Sequence, residues 1–291
     1  MAAEQAQLSK REVLERESRW ARPTLLSAIA IALLFILAAI IGSGDLSNAD
    51  DSAQFLEDFE QVTGSQLVVS LLQAAGLALL AVPLFYLFQA AAARSGRMRT
   101  AFVGLTVAGP LFLAGAFAAR WIAFDGASAD FVMGVGDQAA DPDTRADDLI
   151  EDQTAFGVTQ GLQFAGGIGV AFGVGYTTLY AMRVGLLTRV WGAIGIALGI
   201  SVLLLGTAIG VLAFIVAIGF MIGGYWPGGR PPAWEAGEAI PWPKGGPPDR
   251  DPPPEQEPGL PDGFGDRAED TDPPAETYDP VGSPRKRKRR R

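Results

Sequence analysis

The chain has 291 residues, 49% of them hydrophobic, a formal net charge of −9, and neither cysteine nor histidine. That excludes disulfides, thiol nucleophiles, imidazole general bases and the thiolate or imidazole ligands on which structural zinc and haem usually depend. The apolar residues come in long uncharged blocks rather than at core-like spacing, which points to an all-α integral membrane protein.

Residues 1–22 read as a charged cytoplasmic leader helix. Ser9 and Glu12 fit a capping box, and Arg11/Glu15, Glu12/Arg16 and Glu15/Arg19 are opposite charges four residues apart. Leu8, Val13, Leu14 and Trp20 give this helix a face that can rest on the membrane surface. No small-residue cleavage site follows the first apolar run, so the leader is not read as a cleaved signal peptide. Pro23 suits the first turn of the next helix.

Six spans are predicted within residues 23–226, at about 24–41, 67–89, 101–124, 155–182, 190–206 and 207–226. The uncharged block that supplies the last two is too long for one crossing. At ~1.5 Å per residue it would measure ~55 Å against a hydrocarbon core of ~30 Å, so a hairpin near Gly206–Thr207 divides it. Charge sets the orientation. The leader and the second and fourth loops are basic, carrying Arg94, Arg97, Arg99, Arg183 and Arg189. The first loop has six acids and no base, and the third has nine acids and a single arginine, Arg145. This alternation places both termini in the cytoplasm and the protein in the cell (plasma) membrane.

Few residues in the spans could carry a function. Arg120 is the one ionisable side chain in a span, and such residues default to functional, although it can also snorkel to the interface and pair with Asp125. Gln160 and Gln163 lie on the fourth span at i,i+3. With Gln73 of the second they form a candidate polar path; the plainer alternative is ordinary packing with an interhelical amide bond. The GxxxG pairs Gly157/Gly161, Gly169/Gly173, Gly195/Gly199, Gly206/Gly210 and Gly219/Gly223 favour close helix contacts and allow a homo-oligomer. Pro83 and Pro110 should kink their helices. In the first outer loop Phe55, Leu56, Phe59 and Val62 read as a short interfacial helix capped by Asp51 or Ser52. The acids of the third loop, Asp137 to Asp152, lack the glycine and ligand order of a calcium loop and read as a solvated acidic loop.

Residues 227–243 form a juxtamembrane cuff, with Trp226, Trp234 and Trp242 spaced among prolines. The expectation is that residues 230–243 fold back onto the cytoplasmic mouth. There Trp234 and Trp242 would dock, and Glu235 and Glu238 would lie near Arg94, Arg97, Arg99, Arg183 or Arg189. Residues 244–291, rich in Pro, Asp and Glu, read as a disordered tail. It ends in Arg285, Lys286, Arg287, Lys288, Arg289, Arg290 and Arg291, a basic run suited to anionic phospholipid headgroups. Nucleic acid is disfavoured as a partner, because no aromatic residue interleaves with the run.

The segments RVWGAIGIALG and YWPGGRPPAWEAGEAIPWP resemble the end of uncharacterised actinobacterial multi-pass membrane proteins. The resemblance covers the last two spans and the cuff, favours six spans over five, and carries over no activity and no catalytic residue. The expected architecture is thus a six-helix membrane bundle with a Pro-rich acidic cytoplasmic tail. The leading functional expectation is a non-enzymatic scaffold or regulator acting through that tail. The alternative is a channel or facilitator for a small uncharged or weakly polar solute. Neither an enzyme nor a cofactor is called for.

Overall fold

The computed structural model describes residues 9–42, 51–138, 141–205, 208–227 and 229–242. Of these, 84% are helical and none is in a strand, so the fold is all-α. The helices are α1 (Lys10–Gly42), α2 (Ser52–Leu79), α3 (Ala81–Arg94), α4 (Val103–Val132), α5 (Pro142–Asp152), α6 (Thr154–Arg183), α7 (Arg189–Leu205), α8 (Ile209–Gly223) and α9 (Pro232–Ala236). Four stretches are long and apolar enough to cross a membrane: Lys10–Gly42, Ser52–Arg94, Thr100–Val132 and Thr154–Arg183. The apolar helices α7 and α8 are shorter, at 17 and 15 residues. Leu33, Ile40, Phe164 and Ile209 are all more than half exposed. A water-soluble fold does not leave such a belt bare, whereas acyl chains cover it.

α1 packs between α2 and α8, α2 against α4, α4 against α6, and α6 against α7, while α7 touches α8 to close a ring. α3 contacts α1, α4, α6 and α8. We call the end bearing Arg94, Arg97, Arg99, Arg183 and Arg189 the basic end, and the other, where α5 lies, the acidic end.

The tightest contact is between α4 and α6. A Cβ at Gly109 would lie 2.6 Å from backbone atoms of Gly169 and Val170, and one at Gly173 would lie 3.2 Å from the Leu105 carbonyl oxygen. Gly166 faces Leu113 in the same way. Further round the ring, Gly195 and Gly199 admit α6 against α7, and Gly219 admits Ala28 of α1. Most of the glycines that could have faced a second copy are therefore used within the chain. Gly157 and Gly161 have nothing within 4 Å of a would-be Cβ.

Two sequence expectations need correction. The leader is not a separate surface helix, because α1 runs unbroken through Pro23, which lies inside it rather than in its first turn. Val13 and Glu17 are buried, so this part of α1 is packed rather than solvated. Of the three expected leader pairs only Arg11–Glu15 forms an ion pair. Glu12 is engaged by Ser9, and Arg16 donates to the Gln89 carbonyl (3.3 Å).

The second correction concerns the first and third loops. α2 begins at Ser52, so the expected short interfacial helix is the first part of a long one, capped by Asp51, whose carboxylate accepts from Gln54 N–H (2.7 Å). α4 likewise runs eight residues past the expected end of its span, to Val132. Together with α5 these extensions bury a small second core of Leu56, Ala127, Phe131, Ala146 and Leu149. The third loop is thus largely helix, and α5's Asp143 accepts a hydrogen bond from Ala53 N–H at the start of α2 (3.0 Å). Asp147, Asp148, Glu151 and Asp152 of α5 are exposed, and no group of three acidic side chains among the described residues is placed to hold a metal ion.

At Pro83 the expected kink falls at Leu80, the one residue between α2 and α3, where a proline ring clashes with the carbonyl four residues earlier, here Leu79. Pro110, by contrast, lies inside α4. The expected division at Gly206–Thr207 itself lies outside the described residues, between the end of α7 at Leu205 and the start of α8 at Ile209.

The capping box at the start of α1 is formed. The Ser9 N–H and hydroxyl both donate to Glu12 Oε2 (2.7 and 2.8 Å). The backbone donor, then the hydroxyl, hold the Glu12 carboxyl below its ordinary value. A carboxyl lowered in the folded state contributes stability above its unfolded pKa and loses it as pH falls through the lowered one. Protection factors for the first-turn amides of α1 should therefore be flat between roughly pH 6 and 8 and fall below about pH 4. Hydrogen exchange at residues 12–14 checks this, and a fall near neutral pH would contradict the assignment.

Candidate functional site

Two places bring polar groups together, the first buried and the second open, with Arg120 and Gln163 exposed and Gln73 half-buried. The first is at the basic end. Arg94 of α3 has a fully buried side chain and forms a two-pronged ion pair with Glu17 of α1, with Nη2 to Oε2 at 3.0 Å. It also donates to the Ala233 carbonyl (3.2 and 3.0 Å) and to the Ala90 carbonyl. The Tyr86 hydroxyl donates to the Glu17 carbonyl (3.3 Å), and its ring stacks parallel to Trp234 at 5.8 Å between centroids.

Residues 230–242 lie against this lock. The Trp234 indole donates to the Leu186 carbonyl (2.9 Å) and the Trp242 indole to the Leu187 carbonyl (2.7 Å). Ile240 N–H donates to the Val184 carbonyl (3.1 Å). Two glycines make the approach possible. Gly185 has φ +82°, and a Cβ there would meet the Ile240 carbonyl oxygen at 2.0 Å; Gly237, with φ +66°, sits under Leu14 and the Lys10 carbonyl.

The expected charge pairing of this segment is different in the structure. Glu238 pairs with Lys10 of α1 (2.5 Å), and Glu235 is exposed. Arg94 is satisfied by Glu17, Arg183 lies over the Tyr180 ring, and the backbone at Arg97 and Arg99 meets the hydroxyls of Tyr180 and Tyr176. Of the expected set, Arg94 and Arg189 reach the segment, and both do so through backbone carbonyls, Arg94 at Ala233 (3.2 and 3.0 Å) and Arg189 at Trp242 (3.4 Å). The reason is geometric: docking puts α9's backbone, rather than its carboxylates, over the arginine side.

Glu17 and Tyr86 were not singled out from the sequence. A signal for Glu17 existed. Its neighbours three and four residues away are Val13, Leu14, Trp20 and Ala21, so this carboxylate sits on an apolar stripe with no basic partner on its own helix.

The second place is a cavity of about 410 Å³ toward the acidic end, lined by α1, α2, α4, α6, α7 and α8. Gln73 of α2, Gln163 of α6 and Arg120 of α4 all face it, amid Phe35, Leu113 and Phe117. Thr159 also lines it, but its hydroxyl donates back to the Ala155 carbonyl (2.8 Å). Gln73 and Gln163 share the cavity without the amide–amide bond that packing would have supplied, and neither has a hydrogen bond among the described residues. Arg120 lies over the Phe124 ring (5.1 Å) and, among the described residues, forms no ion pair, with Asp125 or any other acid. Gln160 does not reach the cavity. It lines a neighbouring groove between α6 and α7, with Gln163 as the shared residue.

The cavity therefore offers one cation, two amides and aromatic and aliphatic walls, without an acid–base pair or nucleophile. The basic tail, Arg285, Lys286, Arg287, Lys288, Arg289, Arg290 and Arg291, lies outside the described residues. No family model matches the chain, and no curated protein and no solved structure matches it either.

Proposed function

We propose that the chain is a six-span protein of the cell (plasma) membrane, its basic end cytoplasmic, that binds a small molecule with a polar group in the cavity and serves as a carrier or facilitator for it. One observation carries the reading: Arg120, Gln73 and Gln163, from three helices, converge on one cavity with hydrogen-bonding capacity unused. Leaving polar groups unsatisfied at membrane depth is costly, so a ligand that satisfies them gains that free energy on binding. Charge alternation supports the orientation, and the docked segment at the basic end closes the cytoplasmic side.

The test is cysteine accessibility, which the cysteine-free background makes direct. Gln73→Cys and Gln163→Cys should react with a membrane-impermeant thiol reagent added from outside. Val174→Cys, fully buried between helices, should not. Protection of both cavity positions in the absence of ligand would sink the reading.

A second reading, a scaffold acting through its cytoplasmic tail, is favoured by the anchoring of residues 230–242. That segment is held to the bundle down to Trp242. Removing residues 245–291 separates the two: a scaffold loses its cellular effect with cavity labelling intact.

A further inference from the structure

We infer that the cavity takes its ligand sideways from the bilayer, and that the ligand is an acyl-chain amphiphile whose anionic head rests at Arg120. The inference depends on the reading of the cavity as a ligand site and names what fills it.

The lateral opening follows from how α6 and α7 diverge. Near the basic end they touch. A Cβ at Gly192 would meet Met182 at 2.7 Å, one at Gly195 would meet Thr178 at 2.5 Å, and one at Gly199 would meet the Ala171 carbonyl at 2.9 Å. Toward the acidic end a Cβ at Gly167 finds only Val202, at 4.0 Å. In the gap lies a groove of about 460 Å³, lined by Gln160, Gln163, Phe164, Gly167, Val202 and Leu203. Three of those residues, Gln163, Gly167 and Val202, also line the central cavity, so the two spaces adjoin across them. The outer wall of the groove is apolar and bare, with Phe164 69% exposed, so lipid rather than water borders it.

The α7–α8 hairpin adds to this. At ~1.5 Å per residue its two helices rise only ~26 and ~23 Å, short of a ~30 Å hydrocarbon core. Ala208 and Ile209, at its tip, line the cavity, so the hairpin ends at the level where the cavity begins. A short hydrophobic stretch draws the headgroup layer down to meet it. Lipid heads thus come within reach of Arg120 on this side of the bundle.

The contents of the cavity select the ligand. Arg120 supplies a positive charge that no carboxylate among the described residues balances, and Gln73 and Gln163 add amide donors beside it. A guanidinium matches a carboxylate or phosphate fork. The remaining wall, with Phe35, Leu77, Phe117 and Leu212, is hydrocarbon. A small polar solute would leave that wall unfilled, while an acyl chain covers it. The volume of about 410 Å³ lies within the range of roughly 300–1,000 Å³ typical of small-ligand pockets. Gln160 and Gln163, exposed on a membrane helix, mark the route a polar head follows past α6.

The experiment uses the full chain in phosphatidylcholine nanodiscs with three photoactivatable probes: palmitate, phosphatidylglycerol and phosphatidylcholine, each carrying the same diazirine acyl chain. The expected result is crosslinking of an anionic probe to residues 160–167 and 202–212, with phosphatidylcholine labelling far less. Labelling by palmitate alone assigns a free fatty acid, and labelling by phosphatidylglycerol assigns a chain of an anionic phospholipid. Arg120→Gln should reduce anionic labelling about tenfold or more, the equivalent of one charge-assisted hydrogen bond. Gly167→Phe should block labelling by plugging the portal, while Gln73→Cys in the same protein still reacts with the impermeant thiol reagent. Equal labelling by all three probes, or unchanged labelling in Arg120→Gln, overturns the inference. If Gln73→Cys reacts and no probe enters, lateral lipid access is wrong while the ligand site stands. If Gln73→Cys is also protected, both readings fall.

Discussion

Glu17→Ala is expected to lower the unfolding free energy by about 3–5 kcal/mol and to free Trp234 to solvent. The effect is large because Arg94 keeps its charge in a fully buried position when its carboxylate is removed. Its remaining partners, the Ala233 and Ala90 carbonyls, share the guanidinium protons but not the charge. Relief comes from letting the guanidinium reach water, which means lifting residues 230–242 off the bundle. Thermal unfolding in detergent and acrylamide quenching of tryptophan report the two effects separately. Glu17→Gln keeps a hydrogen-bond acceptor and should lose less. The double change Glu17→Met with Arg94→Met removes both charges together and should recover much of the loss, since a buried pair replaced by apolar groups is often neutral. An unchanged midpoint and unchanged quenching in Glu17→Ala would show that the pair does not hold the segment.

Gly109→Ala should cost about 3 kcal/mol, at the upper end of what overpacking usually costs, for the addition of one methyl group. Most added methyls push against side chains that can turn away. Here the nearest atoms are backbone atoms of Gly169 and Val170, both at 2.6 Å, so α4 and α6 must separate. Gly169→Ala meets Gly109 Cα at 2.6 Å from the other side and should cost a similar amount. Because the two changes force the same separation, the double variant should cost less than their sum. Gly157→Ala, with nothing within 4 Å, is the matched control and should be close to neutral. Unfolding midpoints of the four proteins decide the matter. Gly109→Ala within about 0.5 kcal/mol of the parent, the scatter of ordinary surface changes, would mean that the helices are not in backbone contact.

The helical class and the limits of α6 were legible because lipid selects on hydropathy and length, which are properties of a single segment. The last apolar block holds two helices, α7 and α8, while the point expected to divide them lies outside the described residues. The outward extensions of α2 and α4 were not. Past the bilayer a helix keeps its periodicity but acquires charges such as Asp58, Glu60 and Asp125, and these end an apolar run without ending the helix. The spacing of Phe55 and Phe59, which both pack on Phe124, was the surviving sign of that continuation. The residues of the cavity stood out one by one, since a polar side chain in a span is conspicuous. Their meeting did not, because neighbour relations among helices follow from packing between distant segments. Gln160 shows the limit: three residues from Gln163 on one helix, it looks out through a different gap. The charge pairs of the docked segment failed for a related reason. Arginines near an interface are numerous, and only the packing of α1 singles out Glu17 as the partner of Arg94.

The tie between the two ends of the folded region has a consequence for how the protein is made. α1 packs against α8, and Glu17, Gly237 and Glu238 join the start of the chain to residues 230–242. The first helix therefore enters the membrane long before α8 and the docked segment, two of its permanent neighbours, exist. About 200 residues separate it from Trp242, which at roughly 5–20 residues per second means a wait of about 10–40 s. During that time Glu17 is a carboxylate near the membrane surface without its final packing, and the glycine-matched face of α1 at Ala28 has no occupant. A nascent chain halted before residue 230 would hold every span and still lack its latch. Quality control that recognises unsatisfied polar groups in the membrane would find its clearest target in that interval, and the emergence of residues 230–242 is what removes it.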